Sequence, residues 1–318
     1  MPDAAMPDAA NPTPKPPSAH RIAIVTCSRT DIAMTDNPPL VDALAAHGID
    51  ADLVVWDDPD LDHTTAWSRY DLAVIRTTWD YFEKLEAFKT WLPMVSKQTA
   101  VANDASIIAW NLDKRYLPKL EAAGAKIVPT RTATPDDLDR TIADMQLLHG
   151  PVAVKPSVGG GAKGLALLAP GEQLASSDRA EALGPAGVSL VQPVVESVRT
   201  EGEMALVWID DAAGGSVKYA VQKVPKTGDI RVQPEWGASY HPAAFTGPQA
   251  ELARDAIRAC EQLVARPLYA RVDMVRLPDD TWALMELEVI EPEIFFAVIP
   301  GTADHLASAI AAHPALKP

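Results

Sequence analysis

Short apolar runs alternate with amphipathic segments along the first third of the chain. Residues 22–26, 51–56 and 72–75 are predicted as buried strands, because short continuous apolar runs suit strands that are covered on both faces. Residues 37–48, 83–96 and 112–123 are predicted as helices, and Gly48 ends the first of them. Strands that alternate with helices indicate an α/β layer with a parallel sheet.

The pattern changes after Gly124. A connector over 129–135 and a helix over 135–148 lead into strands that are short or paired, followed by an amphipathic helix over 248–265. The strands of this half are predicted at 152–155, 165–168, 188–191, 204–210, 217–223, 271–276 and 282–290. The pattern therefore predicts an N-terminal parallel-sheet α/β domain followed by two α+β subdomains. The expected divisions are a disordered tail over 1–20, an α/β domain over 21–110, a lid over 111–190 and a C-terminal subdomain over 191–318.

Charge and composition narrow the class of protein. With 43 acidic against 28 basic residues the net charge is −15, so the surface as a whole repels nucleic acid and anionic membranes. No run is long and apolar enough to span a bilayer, and the N-terminus lacks the regions of a signal peptide. Cys27 and Cys260 are too few for a disulfide framework or a zinc site. We expect a cytoplasmic protein, and a homodimer is compatible with the sequence.

Residues 157–164 form a glycine-rich loop. A formal G-x-G-x-x-G match runs from Gly159 to Gly164, but a dinucleotide-binding motif must open a helix, and here a short run from Leu165 is broken at Pro170. The Walker pattern also fails, because neither Ser nor Thr follows Lys163. A strand–loop–strand hairpin after Lys155 fits a lid over phosphates, since glycines let backbone N–H groups approach phosphate oxygens. A flexible surface turn is the alternative.

Acidic residues alternate with apolar ones on the last two predicted strands. Arg271 and Asp273 share one face of their strand, and Glu286 and Glu288 share one face of the next. If these strands pair, three carboxylates meet beside an arginine, which is costly unless cations neutralise them. Mg²⁺ bound by carboxylates and nucleotide phosphates is the usual solution. A solvated acidic face is the alternative.

A candidate substrate site follows the third predicted strand. Arg76 comes directly after the run 72–75, and ligands of open α/β sheets bind outside the carboxyl ends of strands. Arg76 is therefore predicted to clamp a substrate carboxylate bidentately, with Trp79 and Asp80 in the same segment. The alternatives are an Arg76–Asp80 ion pair, and a packing role for Trp79 and Tyr81.

Taken in order, these motifs resemble the ATP-grasp superfamily over residues 21–312. The resemblance is carried by Asn-Leu-Asp-Lys at 111–114, Val-Lys-Pro at 154–156, the glycine loop, Val-Gln-Pro-Val-Val at 191–195, Glu-Gly-Glu at 201–203, Asp273 and the Glu286–Glu288 pair. It implies an ATP-grasp fold and the use of ATP and Mg²⁺.

The resemblance also implies roles for individual residues. Lys114 and Lys155 match the lysines that hold nucleotide phosphates, and the lid match places Ser157, Gly159, Gly160 and Gly161 over them. Gln192, Pro193 and Val195 match the hinge that reads adenine, and Glu203 matches the acid on the ribose. Asp273, Glu286 and Glu288 match the Mg²⁺ ligands, although Asn is common at the last position. Lys223 matches a cation near the γ-phosphate, Arg231 lies in a loop that closes over substrate, and Arg271 would stabilise an acyl phosphate.

Three segments, 76–81, 109–117 and 288–292, resemble the narrower group of cycloserine-forming O-ureido-D-serine cyclo-ligases. That resemblance implies a small amino-acid-like substrate, whose carboxylate is activated by ATP and then attacked by a nitrogen of the same molecule. Two alternatives stay open. One is an intermolecular amino acid or dipeptide ligase on the same scaffold, and the other is a nucleotide-binding regulator without turnover.

Overall fold

A computed structural model of the chain describes residues 20–29, 36–211 and 214–317. Apart from His20, the tail expected over 1–20 lies outside these residues. No helix in the described ranges combines the length and apolar character needed to cross a membrane.

The N-terminal part is a parallel sheet, as predicted. Its four strands have the order β2-β1-β3-β4. The elements are β1 (His20–Thr26), α1 (Asn37–Ala46), β2 (Ile49–Val55), β3 (Leu72–Thr77), α2 (Leu85–Ser96) and β4 (Ala100–Ala102). The three predicted strands are confirmed, whereas β4 is too short to produce a hydrophobic pattern. A 3-10 turn over Tyr81–Lys84 precedes α2.

Two short helices, α3 (Ala105–Asn111) and α4 (Tyr116–Ala122), replace the single helix predicted over 112–123. The prediction was wrong for 112–115. Asp104 caps α3 by accepting the backbone N–H of Ser106, which starts a helix earlier than expected. Pro118 has no N–H to donate to the carbonyl four residues back, so a new helix has to begin near it.

The lid is a four-stranded antiparallel sheet with the order β5-β8-β6-β7. Its elements are β5 (Arg131–Ala133), α5 (Leu138–His149), β6 (Val152–Pro156), β7 (Ala166–Leu168), α6 (Arg179–Leu183) and β8 (Ser189–Pro193). The connector predicted over 129–135 therefore contains a strand, β5. Strand β8 crosses the division expected between residues 190 and 191, so this strand belongs to the lid sheet.

The C-terminal part is a five-stranded antiparallel sheet with the order β11-β10-β9-β12-β13. Its elements are α7 (Ser197–Thr200), β9 (Glu203–Ile209), β10 (Ser216–Val224), β11 (Ser239–Ala243), α8 (Gly247–Leu263), β12 (Tyr269–Arg276), β13 (Trp282–Glu288) and α9 (Ala303–Ala311). A capping box between Thr246 and Gln249 fixes the start of α8. The sequence pattern predicted neither β11 nor α9.

Shared cores hold the N- and C-terminal sheets together. Ile22 and Val74 of the parallel sheet pack in one cluster with Val207, Tyr269 and Phe295 of the C-terminal part. The lid has a separate small core around α5 and β6. The lid sheet is therefore the less integrated unit, and the space between it and the five-stranded sheet forms the main cleft.

Candidate active site

A cavity of about 1250 Å³, which includes space open to solvent, lies between the lid and the five-stranded sheet. All three parts of the chain contribute to its wall. Tyr81 comes from the carboxyl edge of the parallel sheet, Lys155 and the glycine loop come from the lid, and β9, β10, β12 and β13 form the opposite wall.

Strands β12 and β13 pair with each other, which is the condition on which the predicted carboxylate cluster depends. Arg271 lies opposite Glu288 and Asp273 lies opposite Glu286, with a bulge after Asp273. These four residues line the cavity. The predicted gathering of carboxylates beside an arginine is therefore present in the fold.

Ion pairs connect these carboxylates to two buried cations, Arg271 and Lys223. Arg271 Nε donates to Asp273 Oδ1 at 2.9 Å, and Arg271 Nη2 also contacts Glu288. Lys223 Nζ lies 2.9 Å from Asp273 Oδ2 and 3.5 Å from a Glu203 oxygen. Arg271 and Lys223 therefore hold the carboxylates of Asp273, Glu288 and Glu203 in place. The alternative of a solvated acidic face is wrong.

The pKa values of Asp273 and Glu288 shift in opposite directions, because the two carboxylates have different charged neighbours. Burial alone would raise the pKa of Asp273, but Arg271 and Lys223 outweigh it and the pKa is lowered. Burial raises the pKa of Glu288 to about 7, because Arg271 offsets this only in part and the carboxylates of Glu286 and Asp273 add to it. The cavity thus contains a carboxyl group, that of Glu288, whose neutral form is favoured more than in an ordinary glutamate.

The acidic residues are spread along the wall and do not form a closed cage. In the part of the chain that the structure describes, no three His, Cys, Asp or Glu side chains converge as a protein-only metal site requires. Mg²⁺ usually takes one or two carboxylates and completes its shell with phosphate oxygens and water. The pair Asp273 and Glu286, on adjacent strands, fits that kind of site.

Lys114 and Lys155 lie on either side of the glycine loop. Lys114 Nζ donates to Gly159 O at 2.7 Å and lies 3.2 Å from Glu286 Oε1. For Lys155 the described residues provide only a weak contact with the Met285 sulfur at 3.9 Å. Burial lowers the pKa of Lys155, with Glu286 offsetting part of the effect. A lysine that lines a cavity without an acidic partner within ion-pair distance indicates an anionic ligand.

The glycine loop fits tightly against its surroundings. A Cβ added at Gly160 would lie 2.7 Å from the Phe82 ring, and Lys163 forms an ion pair with Glu83. These contacts argue against a flexible surface turn. Ser157 is fully buried and lies behind the cavity wall, where its backbone carbonyl accepts the N–H of Lys114.

The predicted hinge lies beside this loop. Gln192 is opposite Ala153 of β6, and its amide donates to Thr130 Oγ1 at 2.8 Å. Pro193 and Val195 follow it along the cavity wall. The predicted hinge, both lysines and Glu203 are thus brought together around one cavity.

The expected position of Arg76 was wrong. Strand β3 continues through Thr77, so Arg76 lies inside the strand and is fully buried. It pairs with Asp36 at 3.4 Å and its guanidinium lies over the Tyr269 ring. The alternative pairing with Asp80 was also wrong.

The neighbours of Arg76 in the sequence have structural contacts. The Asp80 carboxylate accepts the Trp56 indole N–H at 2.8 Å and contacts Lys84. Trp79 donates its indole N–H to the carbonyl oxygen of Glu291 at 2.8 Å. These contacts leave Tyr81 as the residue of segment 76–81 that reaches the cavity.

Glu291 and Trp236 were not predicted as site residues. Glu291, which follows β13, lines the cavity. Trp236 lies in the loop between β10 and β11 and contacts Gly161 and Arg231, which line the cavity. In the sequence, Glu291 and Pro292 stand out only within the segment 288–292, which resembles the cyclo-ligases. Nothing in the spacing around Trp236 indicates its contacts, because they are made with a loop 75 residues away.

Comparisons with known proteins agree with this geometry. Residues 22–103 match a family model described as the N-terminal domain of D-cycloserine synthetase DcsG. The cycloserine biosynthesis protein DcsG of Streptomyces lavendulae is 29% identical over 303 residues, which cover 89% of this chain and 94% of that protein.

Solved structures show the same architecture. The crystal structure of D-cycloserine synthetase DcsG aligns with a TM-score of 0.80 at 26% identity, over 92% of this chain and 98% of that chain. A RimK domain ATP-grasp protein from Sphaerobacter thermophilus aligns with a TM-score of 0.62 at 19% identity over the same shares.

The fold and the cavity together define the class. The chain has the ATP-grasp fold, and it is an ATP-dependent ligase that forms carbon–nitrogen bonds. Within that class it is similar to D-cycloserine synthetase along nearly the whole described chain.

Proposed function

We propose that this ligase activates the carboxylate of an amino-acid derivative such as O-ureido-D-serine and closes a ring by attack of a nitrogen of the same molecule. The single observation that carries the proposal is the β12–β13 register, because it sets Arg271 beside carboxylates suited to Mg²⁺. Similarity to D-cycloserine synthetase, including the N-terminal domain, supports the substrate class.

The proposed nucleotide site uses the lid. Lys114 and Lys155 hold the phosphates under the glycine loop, Gln192 to Val195 contact the adenine, and Glu203 contacts the ribose. Asp273 and Glu286 would contribute oxygen ligands to Mg²⁺, with Glu288 two residues along β13 as a third acidic group near the ion, and the ion would neutralise charge on the phosphates. Lys155 supports this assignment, since it faces the cavity without an ion-pair partner among the described residues.

The proposed chemistry has two steps. A carboxylate oxygen of the substrate attacks the γ-phosphorus, ADP leaves, and an acyl phosphate forms. A nitrogen of the same molecule then attacks the acyl carbon, the carbon–nitrogen bond closes the ring, and phosphate leaves while the proton of the attacking nitrogen passes to it. Lys223 and Arg231 face the transferred phosphoryl group, while Arg271 stabilises the negative charge that develops on the acyl oxygen. These groups act by position and charge, and no protein nucleophile takes part.

Glu291 is the proposed anchor for the substrate's ammonium group. It lines the cavity three residues beyond Glu288, and its main chain is fixed by Trp79. No Lys, Arg or His of the described chain lies within 4.0 Å of its carboxylate, whereas Arg271, Lys114 and Lys223 are all engaged elsewhere. Glu291 is half-buried, and a half-buried carboxylate with no cation partner favours a cationic ligand.

The test is a panel of acids assayed for ADP release in the presence of Mg²⁺ and ATP. Ring closure requires one substrate, so O-ureido-D-serine alone should release ADP and yield a cyclic product by mass spectrometry. If ADP release required two amino acids together, an intermolecular ligase would replace the proposal. Glu291→Gln should raise the KM for O-ureido-D-serine more than the KM for its analogue without the α-amino group.

A further inference from the structure

Trp236 connects two loops that approach the cavity from opposite sides. It lies in the loop between β10 and β11, at the end of a 3-10 turn over Pro234–Trp236. Its indole N–H donates to the carbonyl oxygen of Gly161 at 2.8 Å. Its ring faces the guanidinium of Arg231, with 3.7 Å between Cζ and the ring centroid. One side chain therefore contacts both the glycine loop and a cation of the cavity wall.

Two further features orient Arg231, namely its pairing with Asp229 and the burial of the next residue, Val232. Its Nε lies 3.0 Å from Asp229 Oδ1 and its Nη2 lies 2.6 Å from Asp229 Oδ2, which is a bidentate pairing. The next residue, Val232, is buried in a cluster with Val195 and Val198 beside the hinge. The Asp229 carboxylate pairs with the guanidinium of Arg231, and the Trp236 ring lies against it. The planar guanidinium of arginine is suited to making both contacts at once.

The contact with Gly161 depends on the position of the glycine loop. Gly161 has φ +60, and a Cβ there would come within 2.9 Å of Glu235 Oε1. Trp236 bonds to the backbone of that loop, so a displacement of the loop of about 1 Å breaks the hydrogen bond. The indole contact therefore depends on the position that the loop has here, where Gly161 lines the cavity.

We infer that Trp236 is a positioning residue that couples the glycine loop to Arg231, so that nucleotide and acid substrate strengthen each other's binding. The inference rests on the proposed function, in which the glycine loop covers ATP and Arg231 faces the phosphoryl group that passes from ATP to the acid. Coupling between two ligands is reciprocal, so it is measurable from either side.

The decisive variant is Trp236→Phe, which keeps an aromatic ring beside Arg231 and removes the donor to Gly161. The probes are a non-hydrolysable ATP analogue with Mg²⁺ and O-ureido-D-serine, titrated by calorimetry singly and together. The wild-type protein should bind the acid more tightly when the analogue is present. In the variant this enhancement should fall about tenfold, while each ligand alone binds within about twofold of wild type, a tenfold change being about 1.4 kcal/mol.

Trp282→Phe is the matched control, because Trp282 also has an arginine over its ring, Arg276 at 5.4 Å, and neither residue lines the cavity. This control should keep the wild-type enhancement. The inference is overturned if Trp236→Phe keeps the full enhancement, if both variants lose it equally, or if the wild-type protein shows none. Failure of the proposed function is distinguishable, since the wild-type protein would then release no ADP with any acid of the panel.

Discussion

Among single residues, the lysines and acids that line the cavity differ in whether they have an ion-pair partner. Lys223 and Lys114 already have carboxylate partners, at 2.9 and 3.2 Å. Lys155 and Glu291 have no such partner among the described residues, and the pKa of each shifts toward the neutral form because of burial. These two residues are therefore the most informative positions for testing anionic and cationic ligands.

Lys155→Ala should weaken the binding of Mg²⁺-ATP. Loss of one hydrogen bond to a charged group costs about 1.5–3 kcal/mol, which corresponds to a dissociation constant raised at least tenfold. Calorimetry on the purified variant measures this, with Lys126→Ala on the surface as the control. An unchanged affinity for ATP would remove Lys155 from the nucleotide site.

Glu286→Gln should abolish turnover and leave the fold intact. The amide keeps the shape of the side chain but is a poor ligand for Mg²⁺, so the loss should appear in kcat. Circular dichroism checks that the fold is intact, and ADP release measures turnover. Glu261→Gln on α8 serves as the control. A rate near that of the wild type at saturating Mg²⁺ would mean that Glu286 has no metal role.

Glu291 should make the stability of the metal-free protein depend on pH. Burial raises its pKa to about 8 from an ordinary value of 4.5, so between these pH values the folded state holds a proton that the unfolded state releases. Its contribution to stability therefore falls as pH rises through this window. Glu291→Gln should gain stability over wild type increasingly from pH 5 to pH 8, by at least about 1 kcal/mol. Thermal unfolding that shows a gain independent of pH would disprove the buried, ionisable state.

At the scale of elements, the end of β13 is held by side chains from the preceding helices. Asn111 donates to Leu287 O at 2.9 Å and accepts the N–H of Val289 at 3.1 Å. The Tyr116 hydroxyl donates to the same Leu287 carbonyl. These bonds fix the backbone on both sides of Glu288, so the motif at 111–114 supports the acidic strand as well as supplying Lys114.

Asn111→Ala should lower both stability and turnover. It leaves the buried N–H of Val289 without its partner, at roughly 1–3 kcal/mol for an unsatisfied group. It also removes one of the two side-chain donors to the Leu287 carbonyl and frees the segment that carries Glu288. Gln146→Ala is the matched control, because the Gln146 amide likewise hydrogen-bonds to backbone groups, the carbonyls of Ala169 and Glu172 in the lid. The control should lose stability but keep its kcat. If the two variants had equal kcat values, the contact between Asn111 and β13 would have no part in positioning the site.

Elements with a strong hydrophobic pattern were the ones that the sequence predicted well. The strands β1 and β3 are continuous apolar runs, β12 and β13 alternate acidic with apolar residues, and the helix α8 is amphipathic. The paired acidic faces follow from strand alternation. The short strands β4 and β5 have three residues each, which is too few for a pattern to emerge. The end of β3 was misplaced because Arg76 is polar, and its buried pairing with Asp36 depends on tertiary structure.

At the scale of the whole molecule, the N-terminal and C-terminal sheets share a core and the lid packs separately. The order of motifs was enough to predict the ATP-grasp fold and the set of cations and carboxylates around the cavity. It did not reveal Trp236 or Glu291, since their importance comes from contacts between distant segments. Contacts between the N-terminal sheet, the lid and the C-terminal sheet therefore shape the cavity near Trp236 and Glu291 more than any single motif does.

The central claim is that a substrate carboxylate is activated as an acyl phosphate before the carbon–nitrogen bond forms. The most direct measurement is a reaction with O-ureido-D-serine labelled with ¹⁸O in its carboxylate, followed by mass spectrometry of the released phosphate. Because the carboxylate oxygen that attacks the γ-phosphorus leaves with it, the account predicts one ¹⁸O atom in each phosphate formed during turnover. Unlabelled phosphate, released together with a cyclic product, would contradict the account.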